Sequence, residues 1–278
     1  MAACAIHISD LHRGAHAAPE LDEALVTLCH ELRPELVVAS GDLSNRGRTG
    51  ELEEAKALLA RLATPSLAVP GNHDIPYTLP ARLTRPWERF EAVYGTTDPV
   101  LQTANAVVCG LNSARPWRHQ GGRLDPARLA AVAPVLSEAP AGALRVVVCH
   151  HHLAGAPWRA SRKFPLKHRN TALRALAAAG AEIVLGGHIH QSTAVERHAF
   201  EALGDEARGS FVLSTAPGFG RPRPHRLGEA NGLHVIRWTT DDIEIETRIW
   251  RHGAFEPTGH CRAPRLYAVT SNEDGDLS

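Results

Sequence analysis

The chain has 278 residues, of which 44% are hydrophobic and 22% are charged, a composition typical of an ordinary globular protein. Lys plus Arg and Asp plus Glu each number 30, so the formal net charge is zero, and neither a membrane surface nor long nucleic acid is indicated as a partner. No run approaches the roughly 20 apolar residues of a membrane-spanning helix, and residues 1–14 lack the charged and apolar regions of a secretory signal.

The five cysteines are widely spaced and form no Cys-x-x-Cys pair, which argues against a disulfide framework or a zinc ribbon. We interpret those in apolar runs as reduced core residues and therefore expect a cytoplasmic protein. The 17 histidines are the unusual feature of the composition. Because histidine is the commonest metal ligand, their positions along the chain decide whether they indicate a site.

The first part of the chain alternates predicted strands and helices. Strands are expected over residues 3–9, 35–40 and 66–69, each of which is a short apolar run. Between them, the apolar residues of 21–32 and 51–62 recur at helical spacing. This βαβαβ order predicts parallel strands flanked by helices.

Residues 76–99 hold four prolines and no clear period, and we interpret them as a lid-like excursion with one short helix near 87–94. Alternation then resumes, with strands predicted over 106–111, 145–149 and 182–185 and helices over 125–136 and 170–179.

After residue 190 the predicted helices stop. Strand-like runs follow one another at 192–196, 211–214, 233–238 and 243–250, which predicts an antiparallel second sheet. No internal repeat or low-complexity linker interrupts the chain. We therefore expect a single domain over 1–268 and a flexible acidic tail over 269–278.

Five short polar segments each follow a predicted strand. They are Asp10-Leu11-His12, Gly41-Asp42, Gly71-Asn72-His73-Asp74, His150-His151-His152 and Gly187-His188-Ile189-His190. The carboxyl ends of strands in an open α/β sheet are where ligands bind, so these side chains are expected to converge. Mixed imidazole and carboxylate donors suit zinc, iron or manganese, and seven donors suit two metals that share a carboxylate rather than one tetrahedral zinc.

In this order the motifs SDLH, GDLSNRG, GNHD, HHH and GHIH resemble those of the calcineurin-like metallophosphoesterases, and most closely a bacterial branch related to cyclic-nucleotide phosphodiesterases. The motifs extend over about two thirds of the chain. The resemblance implies an α/β fold, a four-layer α/β/β/α sandwich of two mixed sheets flanked by helices. It also implies a phosphodiester hydrolase that uses a hydroxide shared by two divalent or mixed-valence transition metals, Mn, Fe or Zn.

The resemblance further implies the metal ligands, residue by residue. The first metal would be held by Asp10, His12 and His190, the second by Asn72, His150 and His188, and both by the bridging Asp42.

Two motif residues are expected to act without binding a metal. His73 would lie beside the leaving group as the catalytic acid, and Asp74 would orient His73. The family usually has His-His-Pro where this chain has three histidines. We predict His150 as the ligand there and keep His151 as the alternative.

Weaker signals concern the substrate. The predicted contacts are His16, Asn112, Arg115, Trp117 and Lys163. Trp117 would either stack on a base or pack under a loop, and packing is the prediction because tryptophan is usually well buried. The basic stretch 157–169 is either a phosphate-recruiting flap or a solvated loop.

The partner expected is a small phosphate ester, such as a 3',5'-cyclic nucleotide, and a homo-oligomer is compatible with the sequence. The alternatives are a phosphomonoesterase, a nuclease or, less in keeping with the motifs, a lipid-precursor pyrophosphatase, since no hydrophobic capping helix is evident. A non-catalytic scaffold of the same fold would be expected to have lost some of the motif residues. This chain retains all of them.

Overall fold

The computed structural model describes residues 2–15, 19–154, 165–198, 210–220 and 231–265. The predicted βαβαβ beginning is confirmed. Its elements are β1 (Ala3–Ile8), α1 (Pro19–Leu32), β2 (Leu36–Ala39), α2 (Thr49–Arg61) and β3 (Ser66–Ala68). The three strands pair in parallel, β1 with β2 and β2 with β3.

The proline-rich excursion contains the short helix predicted near 87–94, which is α4 (Glu88–Tyr94), and one helix that was not predicted, α3 (Ala81–Thr84). A strand that was not predicted, β4 (Val100–Gln102), follows the excursion directly. Both unpredicted elements have only three or four residues, too few to show a period.

The middle of the chain continues with β5 (Ala106–Gly110), α5 (Pro126–Ala130), α6 (Val132–Ser137), β6 (Leu144–Val148), α7 (Arg169–Ala178) and β7 (Ile183–Gly186). The single helix predicted over 125–136 is therefore wrong, because two short helices meet at Ala131. Pro134 explains the break, since it has no N–H to donate to Ala130 and its ring would collide with that carbonyl. Within the first turn of α6 the missing N–H costs nothing.

The last strands are β8 (Thr193–His198), β9 (Ser210–Thr215), β10 (Gly232–Trp238), β11 (Asp242–Arg251) and β12 (Ala254–Pro264). The prediction that they form an antiparallel second sheet is wrong. β8 and β9 join the sheet of β4–β7, where β9 runs parallel to β7, whereas β10 pairs with β1 and carries β11 and β12 with it. A periodic pattern identifies a strand but does not specify its partner.

The described strands thus form two mixed sheets of six strands each, in the orders β12-β11-β10-β1-β2-β3 and β4-β5-β6-β7-β9-β8. One buried apolar cluster joins the first sheet to α1, α2 and α4, and another joins the second sheet to α5, α6 and α7. A third cluster lies between the sheets and includes Val38, Val146, Ile183 and Trp238. This is the predicted α/β/β/α order of layers.

The two sheets are also joined by a buried ion pair at the amino end of β7. Arg265, which follows β12, donates from Nε to Glu182 Oε1 at 2.7 Å and from Nη2 to Glu182 Oε2 at 3.0 Å. Its remaining N–H groups donate to the carbonyl oxygens of Gly142, Ala143 and Thr239. The guanidinium is therefore saturated with acceptors, as a buried charge requires.

Among the described residues, no helix has the length and apolar character needed to cross a membrane.

Candidate metal centre

The five motif segments meet where the strands of both sheets end. Asp10 follows β1, Asp42 follows β2 and Asn72 follows β3, all in the first sheet. His150 follows β6 and His188 follows β7 in the second sheet. The two edges are joined directly, because the backbone N–H of His188 donates to Asp10 Oδ2 at 2.9 Å.

Three groups of side chains have donor atoms close enough to hold a cation. In each group the donor atoms all lie within 4.8 Å of one another, and the groups are Asp10, His12 and His190; His12, Asp42 and His73; and Asp42, His150 and His188. All of these residues are buried. The groups overlap at His12 and at Asp42, so they form one continuous cluster of donors.

The first half of the cluster is centred on Asp10. His190 Nε2 lies 3.0 Å from Asp10 Oδ1 and 3.2 Å from His12 Nε2. His12 Nε2 lies 3.9 Å from Asp42 Oδ2, which connects this half to the next.

The second half surrounds His150. Its Nε2 atom lies 3.3 Å from Asp42 Oδ2, 3.3 Å from Asn72 Oδ1 and 3.3 Å from His188 Nδ1. Asp42 therefore faces both halves, which is the position expected of a bridging carboxylate.

His151, the alternative ligand, points elsewhere. Its Nδ1 atom lies 2.9 Å from Ser113 Oγ, and its ring packs against Gly122, where a Cβ would lie only 2.2 Å from the imidazole. His151 is in none of the three groups, which supports the choice of His150.

Hydrogen bonds to neighbouring residues orient the side chains of the candidate metal ligands. Ser9 Oγ donates to Asp10 Oδ2 at 2.7 Å, which leaves Asp10 Oδ1 facing His190 Nε2 at 3.0 Å. The N–H of His73 donates to Asp42 Oδ1 at 2.8 Å and leaves Oδ2 facing the histidines. His150 Nδ1 donates to Ser40 O at 2.8 Å, so Nε2 is the nitrogen directed at the cluster.

The electrostatics favour ionised carboxylates. Burial alone would raise the pKa of Asp10, but the facing His190 and the more distant His150 hold that pKa well below its usual range. Burial opposes ionisation of Asp42 in the same way, and His150 and His73 hold its pKa low. Burial would lower the pKa of His150, but the facing Asp42 raises it to about 9, so a cation that binds here would displace the proton of His150.

The backbone at these strand ends is strained. Asp10, His12, Asp42, His188 and His190 have φ values of 57°, 49°, 51°, 73° and 56°, in the left-handed region that non-glycine residues avoid. Such conformations each cost about 1–3 kcal/mol and persist where the surrounding structure enforces them, most often at functional sites.

The motif glycines allow the loops to approach one another. A Cβ on Gly71 would lie 2.3 Å from the backbone nitrogen of Asp42, and one on Gly187 would lie 1.8 Å from Ser9 Oγ. Neither position tolerates a side chain, because both contacts are far below van der Waals distance.

His73 lies at the edge of the cluster, and the structure corrects how it is held. Its Nδ1 lies 2.9 Å from Asn45 O, so Nδ1 carries the proton and Nε2 faces the donors. The predicted orientation of His73 by Asp74 is wrong, because the Asp74 carboxylate instead accepts the backbone N–H groups of Leu43, Ser44 and Gly71. Asp74 thus fixes the two motif loops to each other.

Tyr77 was missed by the sequence analysis. Its hydroxyl lies 3.1 Å from His73 Nδ1 and 3.0 Å from His119 Nε2, so it connects the two histidines. Its only sequence signal is its position three residues after the GNHD motif, which is insufficient to assign a contact.

Of the predicted substrate contacts, one is buried, one is in an ion pair and one is exposed. Asn112 is buried, and its Oδ1 accepts the N–H of Ala114, so it stabilises its own loop. Arg115 is paired with Asp125. The prediction that Trp117 packs under a loop is wrong, because 68% of it is exposed.

Two further predicted contacts, His16 and Lys163, lie outside the described residues. So do residues 157–164 of the basic stretch and the predicted tail over 269–278.

The geometry can be compared with known proteins. The family model described as calcineurin-like phosphoesterase matches residues 5–192, which include every motif segment. The chain belongs to the calcineurin-like phosphoesterase family. Over 203 residues this phosphoesterase-family chain is 26% identical to a cAMP/cGMP dual specificity phosphodiesterase of Mycobacterium tuberculosis, covering 68% of this chain and 62% of that protein.

A shorter match of 42 residues is 50% identical to a glycerophosphodiester phosphodiesterase of Enterobacter lignolyticus and covers 15% of each chain. The chain therefore spans less than two thirds of the length of either relative. Its fold is similar to that of a dimetal phosphatase from Danio rerio, with a TM-score of 0.65 at 13% identity over 95% of this chain and 99% of that one. The likeness confirms the sandwich fold.

The residues of this family member fit a pair of cations. The Asp10 Oδ1 atom that faces His190, the His150 ring held through Nδ1 by Ser40 O and the central Asp42 are the features that a metal site requires. The donor set of imidazoles, carboxylates and one amide oxygen is that of transition metals rather than calcium.

Proposed function

We propose that the protein is a metal-dependent phosphodiester hydrolase. The observation that carries this proposal is the convergence of two donor groups on one carboxylate, Asp42, with His73 at the edge of the cluster. Asp10, His12 and His190 would hold one cation, and Asn72, His150 and His188 the other. When bound, the cations would lower the pKa of water to near neutrality and offset the charge of the phosphate.

The remaining groups support that chemistry. Burial of Asp10 and Asp42 excludes water from their carboxylates, which strengthens every charge interaction at the centre. His73 holds its Nδ1 proton against Asn45 O, so a protonated His73 can give its Nε2 proton to the leaving oxygen. The oxygen of water forms a new bond to phosphorus as the P–O bond to the alcohol breaks, and the alcohol oxygen takes that proton.

A diester is favoured over a monoester as substrate. Both curated relatives are named as phosphodiesterases, one for glycerophosphodiesters and the other for cyclic nucleotides. A 3',5'-cyclic nucleotide is the specific substrate that we propose. A phosphomonoesterase is the second candidate, because the fold is also that of a dimetal phosphatase.

Hydrolysis of bis-p-nitrophenyl phosphate with added Mn²⁺ tests the activity. We expect turnover by the unaltered protein and a loss of at least about 100-fold in kcat for Asp42→Ala, because both cation positions lose a shared ligand. Arg61→Gln, an exposed change at the end of α2, is the control and should retain full activity. Equal rates for Asp42→Ala and the unaltered protein would refute the assignment.

The same assay with a panel of cyclic nucleotides, acyclic diesters and monoesters, each with Mn²⁺, Fe²⁺ and Zn²⁺, defines the substrate. A higher kcat/KM for monoesters than for diesters would favour the second candidate.

A further inference from the structure

A cationic cavity borders the candidate metal centre on the side of His73. It consists of two adjoining spaces of about 250 and 440 Å³, which share Arg118, Gly122 and Lys167 in their walls. Arg123 and Trp117 line the smaller space, and His119 lines the larger one. We call this region the cationic cavity.

One imidazole on each side separates the cationic cavity from the centre. The ring of His119 lies 5.5 Å from the ring of His73, centroid to centroid. On the other side, Gly122 packs directly on His151, whose ring centroid lies 5.1 Å from that of His150. The contact of Gly122 with the buried His151 closes that side, so a substrate at the centre would reach the cavity past the exposed His119.

The cavity carries a net positive charge, since Asp125 is the single acidic side chain of the described residues in its walls. Arg118, Arg123 and Lys167 are exposed, and no acidic side chain of the described residues lies within ion-pairing distance of any of them. The fourth cation, Arg115, is paired with Asp125.

The backbone holds these cations in place. Arg123 and Lys167 lie opposite each other in a parallel bridge, and the N–H of Lys167 donates to Gly122 O at 2.9 Å. Arg115 and Arg118 form a second bridge, which is antiparallel. Cations fixed at their Cα positions lose less entropy on binding an anion than those of a free loop would.

We infer that the protein also accepts acyclic phosphodiesters, and that the cationic cavity binds a second anionic group, a phosphate or a carboxylate, carried by the alcohol that leaves from them. The inference rests on the proposed function, in which His73 lies beside the leaving oxygen. Guanidinium groups bind the oxygens of such anions in a forked geometry, and Lys167 adds a point charge. The exposed ring of Trp117 offers an apolar wall for the part of the alcohol between the two anions.

A matched pair of substrates tests the cavity. One is methyl 4-carboxy-2-nitrophenyl phosphate, and the other has a neutral carboxamide in place of the carboxylate. With each rate divided by the rate of alkaline hydrolysis, we expect kcat/KM with Mn²⁺ to favour the carboxylate by about fivefold or more. A ratio of one or less would overturn the inference.

Charge-removing variants locate the effect. Lys167→Gln and Arg118→Gln should each lower the carboxylate preference at least about threefold. Arg61→Gln removes the same charge at the far end of α2, about 20 Å along the helix from its start, and should leave the preference unchanged. An unchanged preference in both cavity variants would also overturn the inference.

A failure of the proposed hydrolase function can be distinguished from a failure of the cavity inference. If neither diester is hydrolysed, calorimetric binding of the free alcohol, 4-hydroxy-3-nitrobenzoate, and its carboxamide analogue still tests the cavity. Tighter binding of the carboxylate that weakens in Lys167→Gln, but not in Arg61→Gln, would support the anion subsite. Equal binding of the two alcohols would refute it.

Discussion

Three donor side chains of the candidate centre each have one polar atom tied to the protein and another directed at the cluster. Asp10 is held through Oδ2 by Ser9 and by the N–H of His188, Asp42 through Oδ1 by the N–H of His73, and His150 through Nδ1 by Ser40 O. Such partners fix the orientation of a ligand, so they contribute to metal affinity without touching the metal.

Ser9 provides a test of this orientation. Ser9→Ala removes the 2.7 Å hydrogen bond to Asp10 Oδ2, and we expect about 10- to 100-fold weaker Mn²⁺ binding by titration calorimetry. Ser137→Ala is the control, because the hydroxyl of Ser137 is exposed and bonds only within α6. The same Mn²⁺ affinity in Ser9→Ala and the unaltered protein would show that the backbone N–H of His188 suffices to orient Asp10.

Sequence could identify the residues of the centre but not all of their contacts. The motif residues were predicted because each follows a strand, and strand ends are visible as the points where apolar runs stop. The acceptor of His73 could not be predicted, because Asn45 O is a backbone atom and leaves no mark on the sequence. The exposure of Trp117 is likewise set by how the 113–123 loop folds, which no periodic pattern reports.

At the scale of elements, the local sequence pattern was sufficient to predict those helices and strands whose contacts are with neighbours in the chain. The βαβαβ beginning follows from apolar periodicity and from the short connections between strands. The partners of the late strands depend on long-range pairing, such as that of β10 with β1, and were predicted incorrectly. β12 was missed because it contains Pro257 and Gly259, which are unfavourable in strands and are tolerated here opposite a bulge between Thr247 and Arg248.

Strand β10 carries a buried histidine that makes stability depend on pH. His234 lies 2.8 Å from Ser192 Oγ through Nε2 and 2.8 Å from Ser214 Oγ through Nδ1. Burial lowers the pKa of His234 to about 3. In the unfolded chain the pKa of histidine is about 6.5, so between these values the unfolded state binds more protons and the free energy of unfolding falls as pH falls.

We therefore expect neutral His234 to make its full contribution to the free energy of unfolding above pH ~6.5. At pH 5 that free energy should be lower by about 2 kcal/mol than at neutral pH. His234→Gln removes this titration and should reduce the pH dependence of the unfolding free energy, measured by urea denaturation in EDTA. His252→Gln changes an exposed histidine and should leave the slope unaltered. A slope in His234→Gln equal to that of the unaltered protein would contradict the assignment.

At the scale of the whole molecule, the two sheets are held by apolar packing and by the buried pair of Arg265 and Glu182. Both side chains are almost completely buried, so either charge left alone would have no compensation. Removing one partner of such a pair typically costs about 3–5 kcal/mol, whereas replacing both by apolar residues often costs much less.

Arg265→Met should therefore lower the free energy of unfolding by about 3–5 kcal/mol, and the double variant Arg265→Met with Glu182→Leu should regain part of that loss. Urea denaturation measures both values. Activity per folded molecule should be retained, because the pair lies at the amino end of β7 and the candidate centre lies beyond its carboxyl end. A loss below about 0.5 kcal/mol in the single variant would mean that water reaches the pair.

The donors of the centre are divided between the layers, with Asp10, His12, Asp42 and Asn72 contributed by the first sheet and His150, His188 and His190 by the second. Cations that bind there would crosslink the two sheets. By linkage, the free energy released on their capture is added to the cohesion of the two layers. Removal of the cations by a chelator would thus lower the free energy of unfolding of the whole molecule as well as its activity. Metal affinity and the stability of the sandwich depend on the same seven side chains.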